Sequence, residues 1–542
     1  MMRAQALIWM FVGGMLTGLA GCGETSPEPS TGRQKTVRAV PVVSAEVRKQ
    51  LLDGAVSVLG RLDDFEEAAA YEQVFDRLNQ WSHAGVADVP WTADPLIESL
   101  PEGLREIVPA ESLAGSTFDA VDDPTFLRDQ RWMSDLADSI RQDAVDDLEI
   151  AQRLFSWTIR SLALVSDPPM QPTADNPGSR WLRSGEILLS GRASAAQRSW
   201  VFLDLLRHAG LQGVMLATRS ADGDQTLVPW VPAVVADGEA WLFEPAYGMA
   251  IPGPGGEGIA TARQAFEDPS ILEAMDLDGR QYPVRAADVG RLGVLVSAAP
   301  ASLSRRMRLV QTSLVGGNAM SLVVDPATAV EATAAVLPQA DGPPPGGLWM
   351  FPWECERMRR ERSAELRAEV ARELAPLSVQ LPEPSANGAG RLFRPLFNAR
   401  IREFRGELDG RGGAKFAYLA ARPSEQTIRR LMSTMPPQQA GLLQQLVGQM
   451  KEDATYYLGV VTLGEGEYEA AIDFLDRMTL EASPDSRWAD AARINAAKAY
   501  AAIGNPERAR ELLEADESPQ RFGSRLAARG LSVADESDSP AP

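Results

Sequence analysis

Residues 190–210, SGRASAAQRSWVFLDLLRHAG, decide how the middle of this chain is read. From about Ala196 to His208 apolar residues return at helical spacing, and Gly210 stops the run. The segments that follow change character. GVMLATRS (213–220), LVPWVPAVVA (227–236) and EAWLFEPA (239–246) carry the β-branched and aromatic residues of strands, and ADG at two places supplies turns. Upstream, residues 131–165 have the pattern of one or two amphipathic helices, followed by a loop rich in Pro and Asp, SDPPMQPTADNPGSR (166–180).

The whole chain sets bounds on this core. With 542 residues, 45% hydrophobic and 23% charged, it is long enough for several domains with ordinary buried interiors. Its 74 acidic residues outweigh 53 basic ones, a formal charge of -21, so its overall field repels a phosphate backbone and no nucleic-acid partner is expected. His83 and His208 are the only histidines, and Cys22 and Cys355 the only cysteines. That excludes a disulfide framework and most zinc sites, and neither metal nor cofactor is expected.

The N-terminus reads as an export signal: Arg3, an apolar run from Ala6 to Leu16, then small residues before a cysteine. Its ending LAGC (19–22) resembles the bacterial lipobox, which implies lipid attachment at Cys22 after removal of residues 1–21. Residues 22–45 read as a flexible tether. By the same resemblance, Gly23 rather than an aspartate after Cys22 points to the outer membrane instead of the inner one, with the body of the protein facing the periplasm or the surface. The remaining thiol, Cys355, sits in FPWECERMRRER (351–362), where neighbouring arginines could lower its pKa, but no histidine lies near it in sequence and a single cysteine is more often a small buried residue than a nucleophile.

The C-terminal part repeats itself. YYLGVVTLGEGEYEAAIDFL (456–475) aligns with NAAKAYAAIGNPERARELL (495–513) so that Gly466 falls on Gly504, Ala471 on Ala509 and Leu475 on Leu513, an offset of 38. A helix, a Gly turn and a second helix stacked in series are how a solenoid buries its faces. These residues resemble tetratricopeptide repeats, with Gly459 and Ala497 as the small mid-helix positions. Residues 398–423 read as a degenerate third copy. Such repeats imply a protein or peptide partner held in a concave groove, or packing on the rest of the chain.

Residues 150–248 resemble the bacterial transglutaminase-like domain of the papain-like class: helix, strand-like LALV, loop, a nucleophile helix ending Leu-Leu-Arg-x-x-Gly, then strands. Leu205, Leu206, Arg207 and Gly210 carry the match. The family places a cysteine at the start of that helix, where free N–H groups favour thiolate, with a histidine and an acid on following strands. On its spacing these positions fall on Ala195, Val228 (two before Trp230) and Glu244 (before Pro245). Only a carboxylate is kept. His208 lies on the nucleophile helix itself, in a slot of arbitrary residue, and offers no replacement base. The resemblance therefore implies the fold without its chemistry.

The expected architecture is an α+β transglutaminase-like (papain-like) domain over 121–295, preceded by a helical region at 46–120. It is followed by a mixed connector at 296–395 with a charged helix from about Glu356 to Leu374, an all-α repeat domain (TPR-like) over 396–532, and a disordered tail at 533–542. The glycine-rich IPGPGGEG (251–258) lacks the Lys-Ser/Thr ending of a phosphate loop and reads as a shaped turn. The expected function is a membrane-anchored, catalytically inactive scaffold for an unidentified envelope protein or peptide, with Trp200 and Trp230 as contact anchors. The rival is an envelope hydrolase or acyltransferase built on Ser194, Ser199 and Glu244, with Asp204 as a second acid/base candidate. It requires those side chains to converge beside a base. A third reading, a glycan binder, needs an exposed aromatic groove.

Overall fold

The apolar spacing of residues 122–161 produces two helices, α1 (Asp122–Arg141) and α2 (Asp147–Ser161). Asp146 starts the second, its carboxylate accepting the Glu149 amide at 2.8 Å. The structure, a computed structural model, describes residues 44–85, 89–167, 181–219, 226–340, 342–382, 392–433 and 435–537. The expected signal segment, Cys22 and most of the tether lie outside the described residues, as do positions 168–180 of the Pro/Asp loop.

Helix α3 (Ala195–His208) begins one residue before the spacing suggests, because Ser194 and Gln197 cap it reciprocally. Ser194 Oγ accepts the Gln197 amide at 3.3 Å, and Gln197 Oε1 accepts the Ser194 amide at 3.0 Å. The helix ends at Ala209, and Gly210 takes the left-handed φ of +80° that a side chain would resist. Strands β1 (Ala163–Leu164) and β2 (Arg192–Ala193) pair in parallel just ahead of it.

After α3 the chain builds a six-stranded sheet in the order β6-β5-β4-β3-β7-β8. Its strands are β3 (Gln212–Arg219), β4 (Leu227–Ala236), β5 (Glu239–Glu244), β6 (Met249–Ala250), β7 (Gly293–Val296) and β8 (Gly346–Leu348). Only β7 and β8 run parallel; the other neighbours are antiparallel. The boundary expected at residue 295 thus falls inside the sheet, since β8 comes from the connector and covers the edge of β7. In β4, Pro229 and Pro232 have no N–H to give the ladder. Between them the register slips, so that Trp230 and Val231 together face Leu216.

Both faces of the sheet are buried, which is why its strands read as near-continuous apolar runs. Met215, Ala217, Val234 and Phe243 join the helical core, where the rings of Phe155, Phe202 and Phe243 meet at centroid distances of 4.9–5.2 Å. Val214, Leu216, Ala233, Ala240 and Leu242 join a second core with Ile251, Leu272, Tyr282 and Val289. The N-terminal helices Ala45–Gly60 and Glu67–His83 pack on each other and on α1, sharing the larger core. The charged helix of the connector is two helices, Phe351–Glu361 and Ala364–Leu374. Ser363 separates them, its Oγ accepting the Leu366 amide at 3.3 Å.

The C-terminal region is helical: α4 (Pro437–Gly464), α5 (Tyr468–Ile472) continuing in a π-helical stretch through Asp473–Glu481, α6 (Ala489–Ala502), α7 (Pro506–Glu514) and α8 (Arg521–Ser537). The last helix passes residue 532, where the tail was expected to begin. The 38-residue offset has a geometric counterpart. Gly466 and Gly504 both turn with left-handed φ, +78° and +79°, and Ala471 and Ala509 are fully buried. A Cβ on Gly459 would lie 2.6 Å from Leu475 Cγ, so the absent side chain sets how closely the two helices of the first unit approach. In the segment read as a degenerate copy, Pro395–Phe404 and Ala414–Ala420 form a helical pair that packs on α4.

Candidate functional site

The start of α3 is not an open cradle. Ala195 is half-buried in its first turn, and one turn on, Arg198 is 1% exposed. Its guanidinium makes five hydrogen bonds to neutral acceptors. Nε and Nη2 donate to Leu162 O at 2.9 and 2.6 Å, and Nη2 also reaches Ile159 O at 3.4 Å; Nη1 donates to Pro245 O at 3.0 Å and to Gln520 Oε1 at 2.8 Å. Burial brings its pKa down to about 9, still above neutral pH, so the group remains a cation held by carbonyl dipoles. Arg198 stands inside the stretch that opened the sequence reading, yet nothing in its spacing marked it. Its acceptors come from residues up to 322 positions away.

Gln520 belongs to the repeat region, which closes over this site. A Cβ on Gly248 would meet Gln520 Nε2 at 2.4 Å, and one on Gly523 would meet Tyr247 O at 1.8 Å. Arg280 stacks over the Phe522 ring at 3.5 Å. Further along, Tyr457 Oη donates to Ser190 O at 3.1 Å and Asn495 Nδ2 to Arg160 O at 3.0 Å. The first helices of the two repeat units, α4 and α6, therefore meet the sheet domain in cis.

The three positions expected to correspond to a triad, Ala195, Val228 and Glu244, are not brought together. Along β5, Phe243 points to α2 and α3, whereas Glu244 follows Ala240 and Leu242 to the opposite face. There Tyr282 Oη donates to Glu244 Oε2 at 2.5 Å, Ala246 N donates to Oε1 at 3.0 Å, and Trp230 Nε1 donates to Tyr282 Oη at 2.8 Å. Val228, near the start of β4, is exposed. The serines are dispersed as well: Ser194 caps α3, Ser199 Oγ donates to Ala195 O at 2.9 Å, and neither contacts Glu244.

Burial pushes the Glu244 carboxyl up to about 7, against the hydrogen bonds from Tyr282 and the backbone that lower it. The folded state thus favours protonated Glu244. Its contribution is fully present below the ordinary value of 4.5, is lost as pH rises to about 7, and stays level above that. The interval corresponds to about 3 kcal/mol. Glu244→Gln, which mimics the neutral form, is expected to remove this slope. Urea unfolding near pH 5 and pH 8 should find wild type losing about 2 kcal/mol more than the variant. Parallel losses would mean that the carboxylate ionises in place without penalty.

The other face of α3 carries Trp200, Asp204 and Arg207, which line a cavity of about 540 Å³ together with Asp129 and Cys355. Trp200 is 6% exposed and packs edge-on against Phe351. Asp204 pairs with Arg207 at 2.9 Å, and Arg207 also donates to Gln130 at 2.6 Å. Burial raises the Asp204 pKa despite that arginine. Cys355 is a buried thiol rather than an activated one: burial pushes its pKa well above the usual value, outweighing the nearby Arg362. His208, at the far end of α3, faces Gln130 Oε1 at 3.0 Å and is held well below its ordinary pKa by burial and by Arg207 and Arg131.

Among the described residues, no group of three or more His, Cys, Asp or Glu side chains is placed to hold a metal ion. No described helix is long and apolar enough to cross a membrane. In comparisons with known proteins, the tetratricopeptide repeat family model matches residues 452–528. The match spans α5, α6 and α7 with parts of α4 and α8, so the C-terminal region is of the tetratricopeptide type. No curated protein and no solved structure matches the chain.

Proposed function

We propose that this chain is a lipid-anchored scaffold of the bacterial cell envelope, held to the outer membrane through Cys22, that recruits a protein partner and performs no transglutaminase chemistry. The repeat-family match supports the partner-binding role. The observation that carries the non-catalytic reading is the dispersal of the candidate groups: Ser194 and Ser199 bond within α3, whereas Glu244 lies with Tyr282 on the opposite face of the sheet. In this reading the transglutaminase-like fold serves as a platform that fixes the repeats in one orientation. The partner then docks on outward surface of the repeats, where Met478 and Ile503 are exposed apolar side chains.

Deleting the repeats would strip acceptors from the core, so point substitutions test the proposal better. Cys22→Ser is expected to move the protein from the membrane fraction to the soluble one and to abolish incorporation of labelled fatty acid. Unchanged fractionation would defeat the anchor. Met478→Asp with Ile503→Asp is expected to lose the in-cell crosslinked partner while the anchor and the melting temperature are retained. An unchanged crosslink pattern would move the contact off this surface.

A further inference from the structure

A second arginine of the same region, Arg160, makes no side-chain hydrogen bond or ion pair among the described residues. Arg160, in the last turn of α2, points into a cavity of about 730 Å³ at the seam between the sheet domain and the repeats, lined also by Trp157, Ser161, Glu403, Gly464 and Glu465. Its Nε is shut away from solvent without an acceptor. Gly464 makes the room: a Cβ there would lie 2.9 Å from Arg160 Nη2. Beside it, Ser161 is 1% exposed and its Oγ has no partner either.

The cavity's own acids are already committed. Glu403 accepts from Arg400 at 2.8 Å and from the Tyr418 hydroxyl, and Glu465 is paired with Lys415 at 2.6 Å. The second arginine of the lining, Arg153, is bound to Glu149 at 2.7 Å and Asp143 at 3.1 Å. Of the charged groups lining the cavity, Arg160 alone among the described residues has no ion-pair partner in contact, with Glu403 acting on it only from a distance. Lys498 lies close enough that, after the surrounding protein itself, Arg160 and Arg198 are what bring its pKa down to about 8. A half-buried guanidinium without a contacting acid is unfavourable, and a planar fork of N–H donors matches the oxygens of carboxylate or phosphate.

We propose that the seam cavity is an oxyanion-binding site, in which Arg160 and the Ser161 hydroxyl hold a phosphate or carboxylate group and the remaining volume beside Trp157 receives the organic body that carries it. Occupancy would place a ligand against α2 and α4 at once, tying its binding to the junction of the two parts of the fold.

The test is titration of the full chain with sodium phosphate and with sodium acetate at constant ionic strength, followed by calorimetry and thermal melting. Saturable binding of at least one anion is expected. A preference for phosphate would identify a phosphorylated ligand, and a preference for acetate a carboxylic acid. Arg160→Gln is expected to weaken binding about tenfold or more, and Ser161→Ala about threefold, with Arg153→Gln within about twofold of wild type. Without anion, Arg160→Gln should melt at or above wild type, because it removes an unpaired charge. Should that variant fold poorly, Ser161→Ala decides. The proposal falls if neither anion binds saturably, or if binding survives Arg160→Gln or, in that second case, Ser161→Ala unchanged.

Discussion

Arg198→Ala is expected to destabilise the protein by about 4 kcal/mol and to loosen the repeats from the sheet domain. The side chain has no ion-pair partner to lose. What it leaves behind is a set of buried acceptors, Leu162 O, Pro245 O and Gln520 Oε1, each of which forfeits a hydrogen bond from a cation. Such bonds contribute about 1.5–3 kcal/mol each, offset in part by relief from burying the charge itself. Urea unfolding gives the stability, and hydrogen exchange over residues 515–531 gives the coupling. Faster exchange there than in α1 is the expected signature. Arg198→Lys separates charge from geometry: one ammonium cannot reach acceptors on three segments, so most of the loss should remain. A variant within about 1 kcal/mol of wild type would mean that water satisfies these carbonyls and that the contact is dispensable.

Gly523→Val is expected to displace the last helix without unfolding the sheet. The atoms that a Cβ would meet are all backbone: Tyr247 O at 1.8 Å, C at 2.5 Å and Cα at 2.7 Å. No rotamer change relieves that overlap, so α8 must move away, taking with it the Arg280–Phe522 stacking and the Gln520–Arg198 bond. A loss of about 3 kcal/mol is expected. Trypsin should then cut after Arg521, Arg525 or Arg529 well before it cuts within α1–α3. Gly530→Ala is the control, since nothing lies within 4 Å of the position of its Cβ. Equal protection in Gly523→Val and wild type would show that the helix contact adjusts at little cost.

Together these two variants bear on why the fold is built as it is. Tetratricopeptide units expose a groove because each repeat buries its apolar face only on its neighbours. Here the first helices of the units spend that surface on the chain's own core, through Tyr457 and Asn495, with Gln520 and Gly523 closing the far end. The same contacts bury Arg198 against Pro245 and Gln520.

The sequence by itself determined the local elements. Period 3.6 gave α3 to within a residue, β-branched runs gave β3, β4 and β5, and the offset of 38 gave the paired glycine turns at 466 and 504, because each of these is set by contacts within one or two turns of chain. It also told that Ala195 and Val228 could do no nucleophilic chemistry, since identity alone decides that. Tertiary structure decided the rest. Whether Glu244 faces α3 or Tyr282 depends on strand parity beyond a bulge in β4, and a single slipped residue in that strand is invisible to composition. The connector's β8 joined the sheet because β7 had an edge to cover, which no local pattern announces. Arg198 and Arg160 looked alike in sequence, two arginines on amphipathic helices. One became the keystone of the junction and the other kept an Nε without an acceptor, because the acceptors that distinguish them arrive from Pro245 and Gln520, and only the folded chain brings those near.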